Sequence, residues 1–277
     1  MTETIEIRIP ELHAAKYLPA GTGVCVGGVA RKLELSSDDP LLNEIGAIDA
    51  SFRRQDRAFF TGWIIHRKYK KSELQSSELV HLRIQEVLET AGEEHGTQYD
   101  DSDACSVCGG GSKQASALCL DTTQIATKSD IVRTLAGEIV VSARFRDACI
   151  AGNLDGVEFR EIFRAENQNT ESKEWYQLFV GGRVSLSALT KVGNDPFENS
   201  IPKTCECGRT LGLNLLSEVA INDGYTIDAD AFTTAELIGV RRGLLRPTHL
   251  VLISQKFFDV LAKSRIKGVA YEVSRVT

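Results

Sequence analysis

Two segments of this sequence repeat one another, and the repeat limits the folds that the chain can adopt. Residues 138–162 align without a gap to residues 250–274. Each copy opens with a short apolar run, which is typical of a buried strand. Ser142 and Ser254 follow, where a hydroxyl can accept a hydrogen bond from a free amide at a helix start. Each copy therefore predicts a strand that leads into a helix.

The aligned positions extend through the helix and beyond it. The identical pairs are Ser142 and Ser254, Phe145 and Phe257, Asp147 and Asp259, Gly156 and Gly268, and Val157 and Val269. Phe145, Ala148 and Cys149 have the i, i+3, i+4 spacing of one helix face, as do Phe257, Val260 and Leu261. The paired glycines then mark a turn into a second strand. The predicted unit is strand–helix–strand.

A close cysteine pair precedes each copy of the repeat. Cys105 and Cys108 form a C-x-x-C-G motif, and Cys205 and Cys207 form a C-x-C-G motif. Two such thiolates can bind one side of a tetrahedral Zn²⁺ ion, and the following glycine lets the backbone turn beneath the metal. The four cysteines together would complete one zinc site.

The shorter spacing of the second pair leaves other ligand sets open. His95, in the loop before Cys105, is an alternative third ligand, and Cys119 is an alternative fourth. A loop histidine is also commonly exposed without a metal. Cys119 stands between two leucines, which favours a position in the core.

These signals predict an α+β fold made of two related halves. Each half would consist of a cysteine turn followed by a strand–helix–strand unit packed on a mixed or antiparallel sheet. The polar segment Arg164–Lys173 separates the two copies. The predicted domains are therefore residues 1–165 and 166–277.

The remainder of the first half predicts further strands. Residues 3–9 alternate apolar and charged side chains, and residues 59–69 are rich in aromatic and β-branched side chains. A short helix near 72–77 and a strand near 79–88 are predicted next. The glycine-dense segment 21–28 reads as a turn beside a strand, with Cys25 as a small buried hydrophobic residue.

Composition narrows the classes of function. The net charge is −6 and the pI about 5.5, which disfavours a generic nucleic-acid binder, since such proteins neutralise phosphates. No secretion signal and no run of apolar residues long enough for a transmembrane helix is found. Seven cysteines without such a signal favour a reducing compartment, hence the cytoplasm, and metal ligands over disulfides.

Two charged clusters are candidate binding features. An acidic loop precedes the first cysteine pair, and its candidate partner-binding residues are Glu93, Glu94, Asp100, Asp101 and Asp103. A solvated turn is the alternative interpretation. Arg241, Arg242 and Arg246 could bind carboxylates or phosphates, or could form ion pairs within the protein. No signature of a known catalytic site is found.

The two cysteine–glycine turns, joined to the C-terminal pattern I-x-S-x-x-F-x-x-x-L-x-x-x-x-x-x-G-V-x-[FY], resemble the bacterial proteins with a double CxxCG motif. The resemblance covers roughly residues 92–277. Characterised relatives in that group are immunity proteins against polymorphic toxins. By position, the resemblance makes Cys105, Cys108, Cys205 and Cys207 the metal ligands, and it carries no catalytic residue. The second motif of this chain, CECG, is one residue shorter than the CxxCG pattern. The resemblance alone therefore does not fix the fourth metal ligand.

The sequence therefore predicts a non-catalytic cytoplasmic binding protein with a structural zinc site. The expected activity is to bind and neutralise a cognate protein toxin, with no role at a membrane. The alternative is a zinc-ribbon protein associated with nucleic acid, which the acidic net charge disfavours.

Overall fold

The computed structural model of the chain describes residues 1–165, 167–197, 204–225 and 229–277. It is a mixed α+β structure with 20% helix and 38% strand, which confirms the α+β part of the predicted fold class. The helices of the described residues are α1 (Glu11–Tyr17), α2 (Pro40–Arg53), α3 (Lys71–Ser76), α4 (Ala143–Ala151) and α5 (Gln255–Lys263). The longest has 14 residues, and none of the described helices is long and apolar enough to cross a membrane.

The strands are short and numerous. Those before the repeat are β1 (Thr2–Pro10), β2 (Val24–Val26), β3 (Ala30–Ser36), β4 (Gly62–Lys68), β5 (Leu79–Ile84), β6 (Val87–Leu88), β7 (Tyr99–Asp100), β8 (Lys113–Gln114), β9 (Leu118–Leu120) and β10 (Ile131–Thr134). The others are β11 (Ile139–Ser142), β12 (Val157–Arg164), β13 (Asn167–Val180), β14 (Gly182–Val184), β15 (Val192–Gly193), β16 (Asn214–Leu215), β17 (Val219–Ile221), β18 (Ala231–Thr234), β19 (Val251–Ser254) and β20 (Val269–Val276).

The chain divides into two compact units. The first comprises Met1–Lys70 and a short segment that begins at Asp195. Its sheet has the strand order β2-β3-β1-β4 with antiparallel neighbours. Helix α2 begins after Asp39, whose carboxylate accepts a hydrogen bond from the amide of Leu41. The predicted strand over residues 3–9 is confirmed as β1.

The prediction for Cys25 is wrong. Cys25 lies in β2, where all three residues are exposed. The reason is its place in the sheet, because β2 is the end strand and pairs with β3 on one side. An end strand without a covering element leaves both of its faces in solvent, which a local apolar pattern does not reveal.

The second unit contains two six-stranded sheets with the same arrangement. One has the order β6-β10-β11-β13-β12-β9, and the other has the order β14-β18-β19-β5-β20-β17. In each sheet the two outermost pairs are parallel and the three inner pairs are antiparallel. The short helix and the strand predicted before residue 88 are confirmed as α3 and as β5 with β6.

Each sheet has a central strand that lies outside its own strand–helix–strand segment. Strand β5 lies between β19 and β20, although it is the first strand of the second unit. Strand β13, which follows the first strand–helix–strand segment, lies between that segment's two strands, β11 and β12. The first and last strands of the unit are thus hydrogen-bonded neighbours.

Both repeated segments form the predicted strand, helix and strand. Ser142 caps α4 and Ser254 caps α5, each accepting a hydrogen bond from the amide three residues later. The two hydroxyls in turn donate to Asp130 and Asp230, at 3.0 and 2.7 Å. These carboxylates hold each cap in place, which the apolar pattern did not indicate.

The repeated segments share one hydrophobic core. Phe145 and Cys149 of α4 lie in the same buried cluster as Phe257 and Leu261 of α5. The segment predicted to separate two domains lies, in its described part, at the adjoining ends of β12 and β13, which pair with one another. The predicted domain boundary at residue 165 assumes that the two halves of the chain are related, and it stays a prediction.

Candidate metal centre

The four predicted metal ligands come together in the second unit. The sulfurs of Cys105, Cys108, Cys205 and Cys207 all lie within 4.8 Å of one another. Cys105 Sγ lies 3.6 Å from Cys205 Sγ, and Cys108 Sγ lies 3.5 Å from Cys207 Sγ. Sulfurs bound at about 2.3 Å to one tetrahedral Zn²⁺ lie about 3.8 Å apart. The spacing therefore suits a single ion held by four thiolates.

The first cysteine turn extends from the hairpin of β7 and β8. The amide of Gly109 donates to the carbonyl of Cys105 at 2.8 Å, and the amide of Cys105 donates to the carbonyl of Gly110 at 2.9 Å. Gly109 has a φ of +71°, a conformation that suits glycine. A Cβ atom at Gly109 would also collide with the side chain of Arg241. The glycine after the second cysteine is required on both grounds.

The second turn reaches the same geometry with one residue fewer. It lies between β15 and β16, and the amide of Cys205 donates to the carbonyl of Arg209 at 2.7 Å. Gly208, at φ +83°, donates to the carbonyl of Cys205 at 2.8 Å. Each of these two hydrogen bonds joins residues that are one position closer in sequence than in the corresponding bond of the first turn. The second turn therefore closes although it is one residue shorter. The shorter spacing therefore does not separate the sulfurs.

Backbone amides directed at the sulfurs favour thiolates in both turns. The amides of Cys108 and Val107 lower the pKa of Cys105, and the amide of Arg209 lowers the pKa of Cys207 to about 6. Against the amide of Cys207, burial and the neighbouring sulfurs raise the pKa of Cys205 to about 12. Clustered thiolates repel one another, so this set favours a cation at its centre.

Arg209 supplies a positive charge beside the cluster. Its Nη1 lies 3.7 Å from Cys207 Sγ and donates to the carbonyl of Gly110 at 2.7 Å. One guanidinium therefore contacts both cysteine turns. Four thiolates and one Zn²⁺ carry a net charge of about −2, which a neighbouring arginine offsets. Arg209 directly follows the CECG motif, but the motif alone does not indicate this role.

His95 and Cys119 do not belong to the group of four sulfurs. His95 Nε2 lies 3.1 Å from the hydroxyl of Thr90. Cys119 is buried, as predicted, and its amide donates to the hydroxyl of Thr97. Burial raises the pKa of the Cys119 thiol, which disfavours the thiolate that a metal needs.

The arginine cluster is tied to the acidic loop. Arg246 is buried and forms ion pairs with Glu93 at 2.6 Å and with Asp101 at 3.1 Å. Arg241 pairs with the same Asp101 at 2.8 Å. The hydroxyl of Ser112 and the Arg241 guanidinium hold the pKa of Asp101 well below its usual range. For Arg241 and Arg246 the ion pairs within the protein, one of the two predicted alternatives, are confirmed.

The other acidic residues of the loop also have local contacts. Glu94 accepts hydrogen bonds from the Thr90 hydroxyl and the Ala91 amide, and Asp100 accepts one from the Ser102 amide. Asp103 pairs with Lys113 at 2.9 Å. All five acidic residues are nonetheless exposed. Their part in binding a partner stays a prediction.

A buried carboxyl lies behind this network. The Tyr99 and Thr134 hydroxyls both donate to Glu138, and the ring of Tyr99 lies 4.0 Å from the guanidinium carbon of Arg246. Burial raises the pKa of Glu138 to about 7. The segment that supports the first cysteine turn is thus linked to the repeat by a chain of polar contacts.

No family model matches the sequence, and no curated protein matches it.

Proposed function

We propose that the chain is a non-catalytic binding protein with a structural zinc site, and that it neutralises a bacterial protein toxin. The observation that carries the structural part is the group of four sulfurs within 4.8 Å of one another. Thiolates are soft ligands, and a tetrahedral set of four selects zinc or an iron–sulfur centre. Zinc is proposed because the spacing suits one ion.

The same geometry argues against catalysis at the metal. Four protein ligands complete the tetrahedron, whereas a catalytic zinc keeps one position for water or substrate. The cysteine turns belong to two hairpins far apart in sequence, so an ion would cross-link residues 99–114 to residues 192–215. A structural cross-link is the role that such a site serves.

We infer that residues 71–277 arose from two related halves that exchange a central strand. The support is the identical strand arrangement of the two sheets and the matching caps at Ser142 and Ser254. In this description β5 and β13 are counterparts, each lying in the sheet of the other half.

The toxin-neutralising role rests on the resemblance to the double-CxxCG group and on charge. The net charge of −6 favours a basic partner, and charged surfaces accelerate association between proteins. The exposed acidic loop is the proposed contact surface, and the cytoplasm is the proposed location, since free thiolates persist where disulfides do not form. The nucleic-acid alternative is weakened because Arg241 and Arg246 are already paired with acidic residues.

The toxin-neutralising role is tested by measuring whether the protein protects cells from a toxin. The gene would be co-expressed with each toxin gene from its own genomic neighbourhood, and survival would be measured. The variant Asp100→Lys with Asp103→Lys should reduce the association rate with the toxin, and this reduction should shrink at high salt. Asp38→Lys with Glu44→Lys is the matched control, because it changes the net charge equally at exposed positions elsewhere.

Failure to protect against any neighbouring toxin would overturn the toxin-neutralising role. Equal rates for the loop variant and its control would remove the acidic loop as the contact surface. The zinc site is tested separately, by metal content.

A further inference from the structure

The first unit contains an uncharged and largely exposed segment. No charged side chain occurs between Leu18 and Ala30. Val24, Val26 and Val29 are 66%, 51% and 76% exposed. Large apolar side chains are normally exposed singly, and grouped ones mark interaction surfaces. The grouping here is a feature that the proposed function does not use.

Leu12 is a further exposed apolar residue, and its chain neighbour Glu11 contacts this segment. Leu12 is 85% exposed on α1. The neighbouring Glu11 donates its amide to the carbonyl of Val29 at 2.9 Å, and its carboxylate pairs with Arg31 of β3. These contacts hold the start of α1 beside the turn between β2 and β3.

The edge of the sheet at β2 is open. Strand β2 pairs with β3, and no other strand among the described residues pairs with it. Natural edge strands are protected from pairing with other chains by short length, by lysine or proline, or by a bulge. Strand β2 is short, with three residues, and Val24-Cys25-Val26 contains neither lysine nor proline. Its outward amides and carbonyls can therefore pair with another strand.

We propose that this edge binds a second copy of the chain through antiparallel pairing of β2 with itself. The sequence around the strand is a palindrome, Gly23-Val24-Cys25-Val26-Gly27. A two-fold axis at Cys25 places each Val24 opposite the Val26 of the second copy, and the two Cys25 residues opposite one another. Such an interface is isologous and closed, so it yields a dimer.

The uncharged character of the segment supports a copy of itself as the occupant. Like charges directly opposite in an antiparallel pair are destabilising, and this strand has no charge to oppose. The two four-stranded sheets would join into one continuous sheet. Directly opposite Cα atoms in an antiparallel pair lie about 4.5–5.5 Å apart, within the range that a disulfide spans. A disulfide between the two Cys25 residues would therefore detect the pairing.

The first experiment measures the oligomeric state of the full-length protein by sedimentation equilibrium over a range of concentrations. Wild type should form a dimer. Val24→Lys with Val26→Lys places lysine opposite lysine twice, and should weaken the dimer at least tenfold. Ile150→Lys, at a residue 64% exposed on α4, is the control and should dimerise as wild type does.

A charge-swapped mixture shows whether the lysine variant is folded and whether the pairing is direct. Val24→Glu with Val26→Glu should not self-associate, yet should form a heterodimer with the lysine variant.

In a parallel test, copper phenanthroline accepts the two electrons released when two Cys25 thiols form a disulfide. Mass spectrometry should detect the Cys25–Cys25 peptide, and Cys25→Ser should abolish it.

Three results would overturn the proposal. They are a wild-type protein that stays monomeric at about 1 mM, a dimer that the lysine variant leaves unchanged, and a mixture of the two charged variants that remains monomeric.

Discussion

Phe145 and Phe257 occupy equivalent positions in the two repeated segments, and their rings contact one another with centroids 6.3 Å apart. Both side chains are fully buried in the core that α4 and α5 share. The two repeats therefore stabilise each other through the residues that they have in common.

The first prediction concerns this aromatic pair. Phe145→Ala and Phe257→Ala should each lower the free energy of unfolding by about 3–5 kcal/mol, because each leaves a cavity in a closed core. The double variant should lose about 0.5–3 kcal/mol less than the sum, since the rings are in contact. Urea titrations of the four proteins measure both values. Ile150→Ala, on the exposed face of α4, is the control, and strict additivity would contradict the shared core.

The second prediction concerns metal content. Purified wild-type protein should contain one zinc per chain, and Cys108→Ser should lose it and unfold at lower temperature, because metal binding contributes directly to folding. Cys25→Ser is the matched control, since Cys25 lies outside the group of four sulfurs. Elemental analysis and thermal denaturation with and without a chelator give the answer. Equal metal and equal stability in both variants would eliminate the structural site.

The third prediction separates Arg209 from the other arginines near the cysteine turns. Arg209→Gln removes the guanidinium that contacts Cys207 and Gly110. Zinc affinity should fall about 10–100-fold, as is typical for residues that support metal ligands. Competition with a chromophoric chelator measures the change. Arg242→Gln is the control because Arg242 is exposed and its hydrogen bonds to Leu245 involve the backbone alone. Equal affinities in the two variants would assign Arg209 no role.

The fourth prediction follows from the buried carboxyl of Glu138. Its pKa is raised by burial to about 7, above the value of the unfolded chain. The folded protein therefore holds a proton that the unfolded chain releases, so the contribution of Glu138 to stability is greatest below about pH 4.5 and is lost as pH rises to about 7. Relative to Glu138→Gln, wild type should lose about 3 kcal/mol across that interval. Unfolding free energies at closely spaced pH values test this, and parallel curves for the two proteins would refute it.

The repeat and the cysteine turns were readable because their signals are local. The strand, the capping serine and the helix face of each repeat lie within a few consecutive residues. Each cysteine motif ends in a glycine at positive φ, Gly109 or Gly208. The N-terminal strand was equally clear from its alternation. These features depend on the spacing of neighbouring side chains, which the sequence displays directly.

The placement of the strands was not readable, because it depends on partners far apart in sequence. Nothing in residues 79–84 indicates pairing with β19 and β20, and nothing around Cys25 reveals an end strand. The role of Asp101 was likewise hidden. It was proposed as part of a binding surface, and it also anchors Arg241 and Arg246, which are distant in sequence.

The position of β5 makes the order of synthesis matter. The hydroxyl of Ser274 donates to the carbonyl of Leu79 across 195 residues. A growing chain therefore exposes β5 on the ribosome until the last strands emerge, whereas β11, β12 and β13 can pair as soon as they are made. A chain that stops short of Val251 would present a nearly complete first sheet beside an unpaired apolar strand, the state from which nascent proteins aggregate or recruit chaperones. Synthesis of β19 and β20 thus decides when this sheet can finish folding.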